Sequence, residues 1–172
     1  MQNLILINGM KELAELIREE VQRVIIEQGH KLTGKVYEDV DNVVKSLQDS
    51  YLLEGWYQDY SVYLYHGVKA GRIPYNPGSG AKHSLYIEAM IRYAKHRGMT
   101  NPKSAAFAIA STHKREGMPT KASSRFSKSG ERLRFLDFAL ENERVDQKVS
   151  DILFQAVVST FENALAGKVR VA

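Results

Sequence analysis

Apolar residues recur at steps of three and four along the first part of the chain, with glutamates and an arginine between them. This period is that of one face of an α-helix, which has about 3.6 residues per turn. The apolar positions are Leu13, Leu16, Ile17, Val21, Val24 and Ile25. The pattern predicts a long amphipathic N-terminal helix that is capped by Asn8 and ended by Gly29.

The chain then changes from helical to extended character. Helical spacing and β-branching disagree at Val36, Val40, Val43 and Val44, so the pattern places only a transition near Asp41. Beyond it, two runs rich in Val, Leu, Tyr and Trp flank Gln48, Asp49 and Ser50, which is typical of two antiparallel strands joined by a turn. A two-stranded ribbon is rarely stable alone in water. We therefore expect it to lie against the helices or to extend a sheet, including one shared with another subunit.

Two capped helices are predicted in the centre of the chain. Ser84 is suited to cap the first helix, which Gly98 closes. Asn101 and Pro102 are suited to start the second, which Gly117 closes. Alanines on the second helix allow close approach of another helix, so we expect the two to form a packed helical hairpin.

The last third of the chain contains two further helical patterns. Residues 131–141 predict a short amphipathic element. Residues 145–166 predict a final helix with one apolar face. That face carries Val149, Ile152, Leu153, Ala156, Val157 and Phe161.

Together these elements predict a single α+β domain over residues 1–172. It has a long N-terminal helix, a small antiparallel sheet or hairpin, a central helical pair and a C-terminal amphipathic helix. Segments 67–82 and 118–130 are rich in Gly, Pro or Ser, and we predict that both are long flexible loops or extended arms.

The net charge of +4 is unevenly distributed. Residues 1–80 hold eight Lys or Arg against eleven Asp or Glu, residues 81–134 hold twelve against three, and residues 135–172 hold four against six. A basic middle therefore lies between acidic ends. Such a block is suited to bind nucleic-acid phosphates or the acidic ends of a neighbouring copy, or it is a solvated face with no partner.

The residue types that would carry catalysis form no convincing constellation. The chain has no Cys, and its five His, at positions 30, 66, 83, 96 and 113, include no pair at the spacing of a helical metal site. Glu38, Asp39 and Asp41 could hold Mg²⁺ or exchange protons, but a solvated helix end explains them at least as well. No phosphate-binding loop or nucleophile elbow is present. We therefore predict that the protein is not an enzyme and has no metal site or cofactor.

A basic helical DNA-binding protein is the alternative that the residues favour. Cationic residues gather around segment 118–130 and are interleaved with Tyr86, Tyr93, Phe107 and Phe126. The second central helix begins at a proline and is rich in alanine, so it offers few side chains that could read bases. Contact with the DNA backbone is therefore favoured over sequence readout.

Three motifs resemble the small neck and tail-completion proteins of tailed bacteriophages: HKLTGKV, DYSVYLYHGVKAGRIPY and SAAFAIASTHKREGMPT. The tyrosine-rich turn and glycine step of that family match Asp59, Tyr60, Tyr63, Gly67 and Val68, with Ser61 where glycine is usual. The later motif matches Lys114, Gly117, Met118 and Pro119. The resemblance covers roughly residues 8–140.

The resemblance implies a non-enzymatic virion structural protein. Such a subunit forms a homo-oligomeric ring, the head-to-tail connector, which joins the portal to the tail around the DNA channel. It is assembled in the host cytoplasm, lies at the neck and tail junction, and has other neck, portal or tail proteins as neighbours, with non-specific contact to packaged DNA. We expect no membrane association, because the apolar run before Asn8 and Gly9 is too short to span a bilayer and follows no basic leader.

The aromatic cluster of residues 56–65 is suited to anchor an interface, because aromatic rings supply large apolar area with few rotatable bonds. We expect about half of the rings in the core, with Trp56 and Tyr63 among them. The candidate residues for a subunit or partner interface are Tyr57, Tyr60, Tyr65, Lys69, Arg72, Ile73, Pro74 and Tyr75. The candidates for contact with channel DNA or an acidic partner are Lys114, Arg115, Lys121, Arg125, Lys128 and Arg132.

Overall fold

The computed structural model describes residues 4–30, 34–47, 50–79 and 84–169. It confirms the α+β class with a long N-terminal helix and a two-stranded antiparallel sheet. The elements are α1 (Leu4–Glu27), α2 (Lys35–Glu38), β1 (Asp41–Ser46), β2 (Tyr51–Trp56), α3 (Ser61–His66), α4 (Leu85–His96), α5 (Pro102–Glu116), α6 (Phe135–Leu140) and α7 (Glu143–Val169), with 3₁₀ helices at Ala70–Arg72 and Lys121–Phe126.

The chain divides into two compact units. Unit 1 comprises Met1–Ile26, Gly34–Asp59 and Phe135–Ala172, and unit 2 comprises Glu27–Thr33 and Tyr60–Arg134.

Among the described residues, no helix combines the length and the apolar character that crossing a membrane requires.

In unit 1, α1 starts earlier than its sequence predicts. Asn8 and Gly9 lie inside the helix and not at its start, so the prediction of an Asn8 cap is wrong. The apolar residues before Asn8 continue the helix towards its N-terminus. Gly9 marks a close approach to α7, since a Cβ atom at this position would lie 2.8 Å from Cγ1 of Ile152.

The core of unit 1 forms where α1 packs against α7. Its buried centre is Leu13, Val145 and Ile152, and Leu53 of the hairpin packs against this centre. An ion pair joins Glu12 to Lys148, and Gly9 faces Ile152, so residue numbers fall along α1 as they rise along α7. The two helices are therefore antiparallel.

A buried carboxylate reinforces this pairing. The Glu20 side chain is 2% exposed and accepts hydrogen bonds from Arg23, Asn142 and Arg144. Charge is costly to bury unless it is paired and hydrogen-bonded. The three donors supply that compensation and link α1 to the start of α7.

The hairpin lies against α1. This is the first of the two predicted arrangements, in which the ribbon lies against the helices and does not extend a larger sheet. β1 and β2 pair antiparallel in a register that sets Asp41 opposite Trp56 and Ser46 opposite Tyr51, so the predicted transition near Asp41 is confirmed. The side-chain amide of Asn42 donates to the carbonyl of Ala14 on α1 at 2.6 Å. The turn residues Gln48 and Asp49 lie outside the described residues.

In unit 2, the two central helices have the predicted caps. The Ser84 hydroxyl accepts from the backbone N–H of Ile87 at 3.3 Å, and the Asn101 side chain accepts from Ser104 at 3.1 Å. The helices pack together, and Tyr86 shares a 2.7 Å hydrogen bond with Nδ1 of His113. Burial raises the pKa of Tyr86 to about 12.

The first predicted arm is folded over its first half. Val68 and Met118 exchange two backbone hydrogen bonds, at 2.7 and 2.8 Å, and Ile73 is only 2% exposed. Pro74 and residues 76–79 are exposed. Residues 80–82, which complete the predicted segment, lie outside the described residues.

The second predicted arm is also folded. Residues 121–126 form a 3₁₀ helix, and the backbone N–H of Lys128 donates to the carbonyl of Glu27 at 2.8 Å. The segment is thus bound to the turn that follows α1. Its polar, serine-rich composition suggested an extended loop or arm. The segment is instead held by backbone hydrogen bonds to residues outside it, from Lys128 to Glu27 and between Met118 and Val68.

Candidate functional surfaces

The C-terminal helix α7 presents three different faces. Val145, Ile152 and Ser159, spaced seven residues apart, are buried. Arg144, Lys148, Asp151, Gln155 and Glu162 form a polar face. Between these two faces lies an exposed apolar one, which we call the α7 apolar face and which consists of Val149, Leu153, Phe154, Val157, Val158, Phe161 and Leu165.

The α7 apolar face is large for the surface of a single chain. Phe154 is 70% exposed and Phe161 is 66% exposed. From their exposed fractions, the seven side chains present roughly 700 Å² of apolar surface, beyond the ~300–600 Å² of the largest patch on a typical monomer. Such a patch marks an interaction site or an aggregation hazard.

The length of α7 explains why α1 does not cover the last part of this face, which consists of Val158, Phe161 and Leu165. Ile152 lies opposite Gly9, only five residues from Leu4, where α1 begins in the described part of the chain. Since both helices rise equally per residue, α7 passes that point about five residues after Ile152. The last turns of α7 therefore have no described part of α1 beside them. The final-helix prediction was right, but much of its apolar face does not pack in the core.

The aromatic cluster is more exposed than its sequence predicts. Trp56 is 47% exposed and Tyr63 is 61% exposed, so the prediction that these two rings lie in the core is wrong. Trp56 ends the edge of a two-stranded sheet, with Lys45 over its ring at 5.8 Å. Tyr63 lies on a six-residue helix that buries only Ser61.

The predicted interface residues fall into both units. In unit 1, Tyr57 is partly exposed and contacts the ring of Phe135 edge-on at 6.3 Å, and burial of its inner part raises its pKa. In unit 2, Tyr60, Lys69, Arg72 and Pro74 are exposed, whereas Tyr65 and Tyr75 are half-buried. Ile73, predicted at an interface, is buried within the chain and cannot serve as a contact.

The acidic residues near the start of β1 lie around a depression in the surface. Asp39 and Asp41 line an open depression together with Arg18 and Trp56. No group of three potential metal-ligating side chains occurs among the residues that the structure describes.

The two units carry opposite charge. Unit 2 holds 15 Lys or Arg against 4 Asp or Glu, a net charge of +11, and unit 1 holds 9 against 16, a net charge of −7. The basic block recognised in the sequence therefore corresponds to one compact body. Charge of this magnitude attracts polyanions and acidic protein surfaces.

Three arginines and two aromatic rings meet on unit 2, and we call this group the arginine cluster. The Arg97 guanidinium lies over Tyr93 at 5.5 Å and over Phe126 at 5.2 Å, and that of Arg125 lies over Phe126 at 4.9 Å. Arg132 completes the group. Burial, and to a lesser extent the charge of Arg97, lowers the pKa of Arg132.

Arg132 anchors the cluster to the turn after α1. Its guanidinium donates to the carbonyls of Ser123 and Gly29, at 3.3 and 3.4 Å, and its own carbonyl accepts from Nε2 of His30 at 3.1 Å. Gly29 has a φ of +71°, and a Cβ atom there would lie 2.2 Å from the Phe126 carbonyl oxygen. Only glycine allows this approach.

The other predicted cations have local partners or stand apart from the cluster. The ammonium of Lys114 donates to the Ile73 carbonyl at 3.2 Å, and Arg115 pairs with Glu116 at 2.8 Å. The backbone N–H of Lys121 donates to the same Glu116 carboxylate, while Lys128 is exposed. Of the six predicted contacts, only Arg125 and Arg132 belong to the arginine cluster.

Sequence reasoning missed Arg97 and did not connect Tyr93 to this group. Arg97 lies one residue beyond α4. Tyr93 precedes it by one helical turn, a spacing that lets an aromatic ring and a cation meet. That spacing could have predicted the contact between Tyr93 and Arg97. Phe126 could not be added to the group in this way, because it is 29 positions beyond Arg97 along the chain.

An open groove lies beside α4 and α5. It encloses about 900 Å³ and is lined by Pro74, Tyr75, Ile87, Ile91 and Phe107, among others. Tyr75 faces Phe107 with ring centres 6.5 Å apart. Its lining also includes the charged residues Glu88, Lys103 and Lys114, so the groove is of mixed polarity.

Comparison with protein-family models, with curated proteins and with solved structures finds no match to this chain.

Proposed function

We propose that this chain is a non-enzymatic structural subunit of the neck of a tailed bacteriophage. Copies of it form a ring that joins the portal of the head to the tail around the DNA channel. The observation that carries this proposal is the α7 apolar face. Its roughly 700 Å² is close to the ~800 Å² that each partner contributes to a standard protein interface.

The charge of the two units supports assembly from identical copies. A ring subunit uses two different surfaces that fit each other, because a head-to-tail contact closes when its rotation permits. A unit of net charge −7 and a unit of +11 in one chain supply complementary surfaces of this kind.

The hairpin supports the proposal through a second exposed surface. Among the described residues, the sheet has only two strands, and Val43, Leu52 and Trp56 on them are exposed. An edge strand with free backbone groups is a template for pairing with another chain. In the proposed assembly, portal, neck or tail neighbours and further copies cover these surfaces at the neck and tail junction of the virion.

The proposal is tested by the oligomeric state of matched variants. Mass photometry and sedimentation over increasing concentration compare wild type with Phe161→Glu and Gln155→Glu, which add the same charge to the apolar and polar faces of α7. We expect wild type to form a closed oligomer, Phe161→Glu to remain monomeric, and Gln155→Glu to behave as wild type. Circular dichroism checks that both variants keep their helices.

Two outcomes would refute the connector assignment. One is a wild-type protein that stays monomeric alone and with portal and tail components. The other is an equal loss of assembly in both variants, because the apolar face would then have no special role.

The basic helical DNA-binding protein remains the second candidate, and the net charge of +11 on unit 2 is the observation that favours it. A protein with this role alone needs no ring, and its affinity for DNA falls steeply as salt rises. The same sedimentation experiment therefore separates the two candidates.

A further inference from the structure

We infer that the arginine cluster is a binding site for the phosphodiester backbone of DNA. Within the proposed connector, this inference names the part of unit 2 that faces channel DNA and the chemistry of the contact. The residues that make the site are Arg97, Arg125, Phe126 and Arg132.

Two arginines of the cluster keep unused hydrogen-bonding capacity. An arginine guanidinium carries five N–H donors. Arg97 donates from its backbone N–H to the Tyr93 carbonyl at 3.0 Å, but its guanidinium and that of Arg125 form no ion pair or hydrogen bond with any residue that the structure describes. Both are held through ring contacts alone, at 4.9 to 5.5 Å. Stacking uses the face of a guanidinium and leaves its N–H edge to bind an anion.

The site is firmly built. Phe126 and Arg132 lie on a segment that the turn at residues 27–30 holds by several hydrogen bonds. The side chain of Gln28 donates to the Leu133 carbonyl at 2.9 Å, and the backbone N–H of Lys128 donates to the Glu27 carbonyl at 2.8 Å. A preorganised site loses less conformational entropy on binding than three independent lysines on a flexible loop.

The ring contacts favour the DNA backbone over the bases as the ligand. Phe126 is 42% exposed, but the guanidiniums of Arg97 and Arg125 already lie over its ring, at 5.2 and 4.9 Å. A base would have to displace an arginine to stack there, whereas a phosphate can accept hydrogen bonds from a guanidinium without displacing it. The geometry therefore favours phosphates, with affinity independent of base sequence.

An acidic protein surface is the rival ligand. Arginine binds phosphate through two parallel hydrogen bonds, and guanidiniums that share one ring suit the repeated phosphates of a nucleic acid. Unit 2 holds 15 basic residues against 4 acidic ones, which adds the long-range attraction that a polyanion of such charge density exploits. DNA is therefore the ligand to which we commit.

The test measures binding of the full chain to a fluorescent duplex of about 30 base pairs by anisotropy, at several salt concentrations. Single-stranded DNA of the same length and poly-glutamate serve as competitors. The variants are Arg97→Gln, Arg125→Gln, both together, and Arg92→Gln as the matched control. Arg92 is an exposed arginine of α4, turned about 140° away from Arg97 around the helix axis.

We expect each single variant to weaken duplex binding several-fold at low salt, and the double variant more than tenfold. The slope of log affinity against log salt should become shallower by about 2 in the double variant, because two phosphate contacts are lost. Arg92→Gln should change affinity less than twofold. A further variant, Phe126→Leu, keeps every charge but removes the ring, and it should weaken binding because the guanidiniums lose their support.

Several results would overturn the site. They are equal losses in Arg92→Gln and Arg97→Gln, competition by poly-glutamate as strong as that by duplex DNA, or no binding by wild type at low salt. Stronger competition by single-stranded DNA than by duplex would also overturn it, because the bases would then be the ligand. The measurement uses dilute monomer, so failure here leaves ring formation untouched, and failure of ring formation leaves this binding site standing.

Discussion

Glu20 of α1 and Arg144 of α7 form an ion pair in which the carboxylate is 2% exposed and the guanidinium is 66% exposed. The acid is therefore buried, while the base that pairs with it remains largely in water. Asn142 donates a second hydrogen bond to the same carboxylate at 2.8 Å. One side chain of α1 thus contacts both the residue before α7 and the first turn of α7.

Glu20→Gln should lower the free energy of unfolding by about 1–3 kcal/mol, because hydrogen bonds to a charged group contribute about that much. Arg144→Ala should also destabilise, because it removes one of the three donors that compensate the buried Glu20 carboxylate, while Arg23 and Asn142 remain. Urea unfolding followed by circular dichroism measures both. Glu19→Gln, at an exposed neighbouring position, is the control, and a loss as large as that of Glu20→Gln would contradict the role of burial.

The stability of unit 2 should decrease in mild acid because of His30. Burial lowers the pKa of His30 from 6.5 to about 4, with the charge of Arg132 as a smaller cause. Between these values the unfolded chain binds more protons than the folded one, so stability is fully present above pH 6.5 and falls as the pH drops towards 4. We expect a loss of about 1–3 kcal/mol, reduced by partial exposure.

The measurement compares urea unfolding at pH 7.5 and pH 4.5 for wild type and His30→Gln. Glutamine can still donate to the Arg132 carbonyl but does not titrate. The variant should lose less stability than wild type between the two pH values. Equal losses would show that carboxylates alone cause the acid sensitivity.

Gly9→Ala should reveal the packing of α1 on α7. Alanine favours a helix over glycine by about 1 kcal/mol, but its methyl group would lie 2.8 to 2.9 Å from the branches of Ile152, and overpacking costs about 1–3 kcal/mol. We expect Gly9→Ala to destabilise wild type by about 1 kcal/mol. In the Ile152→Ala background the same change should stabilise, since the clash is gone. Equal effects in both backgrounds would contradict the contact.

Comparing Gly29→Ala with Gly98→Ala should separate two causes of destabilisation. One is the steric clash of a new methyl group with a neighbouring backbone atom, and the other is the strain of a positive φ. Gly29 and Gly98 both have positive φ, at +71° and +66°, but only Gly29 faces a backbone atom, the Phe126 carbonyl oxygen. Gly98→Ala should cost about 1–2 kcal/mol for the left-handed conformation alone. Gly29→Ala should cost clearly more in thermal unfolding and should also weaken DNA binding, because it displaces Phe126. Similar costs at both positions would show that strain alone acts.

The local sequence was sufficient for most elements. Apolar periodicity predicted α1 and α7, and the capping residues Ser84 and Asn101 predicted the starts of α4 and α5. These signals are reliable because the hydrogen bonds that they report close within four residues along the chain. The hairpin was also predicted, since its two strands are adjacent in sequence.

Burial could not be predicted in the same way, because it depends on neighbours that are distant in sequence. Trp56 and Tyr63 have large aromatic side chains, as core residues often do. They lie on six-residue elements, however, and much of each ring remains exposed. Ile73 stands in a glycine- and proline-rich segment but is buried. Which apolar residue is covered is determined by the element that reaches it, and local periodicity carries no information about that partner.

Periodicity and composition alone predicted the longer helices, the hairpin, the apolar stripe of α7 and the concentration of positive charge in the middle of the chain. The fold was needed to show that α7 extends beyond the described part of α1, and that Arg97, Phe126 and Arg132 meet. Helix formation and net charge could be predicted because they are properties of neighbouring residues. A binding surface depends on contacts such as that of Gly29 with the Phe126 carbonyl, which joins positions nearly a hundred residues apart.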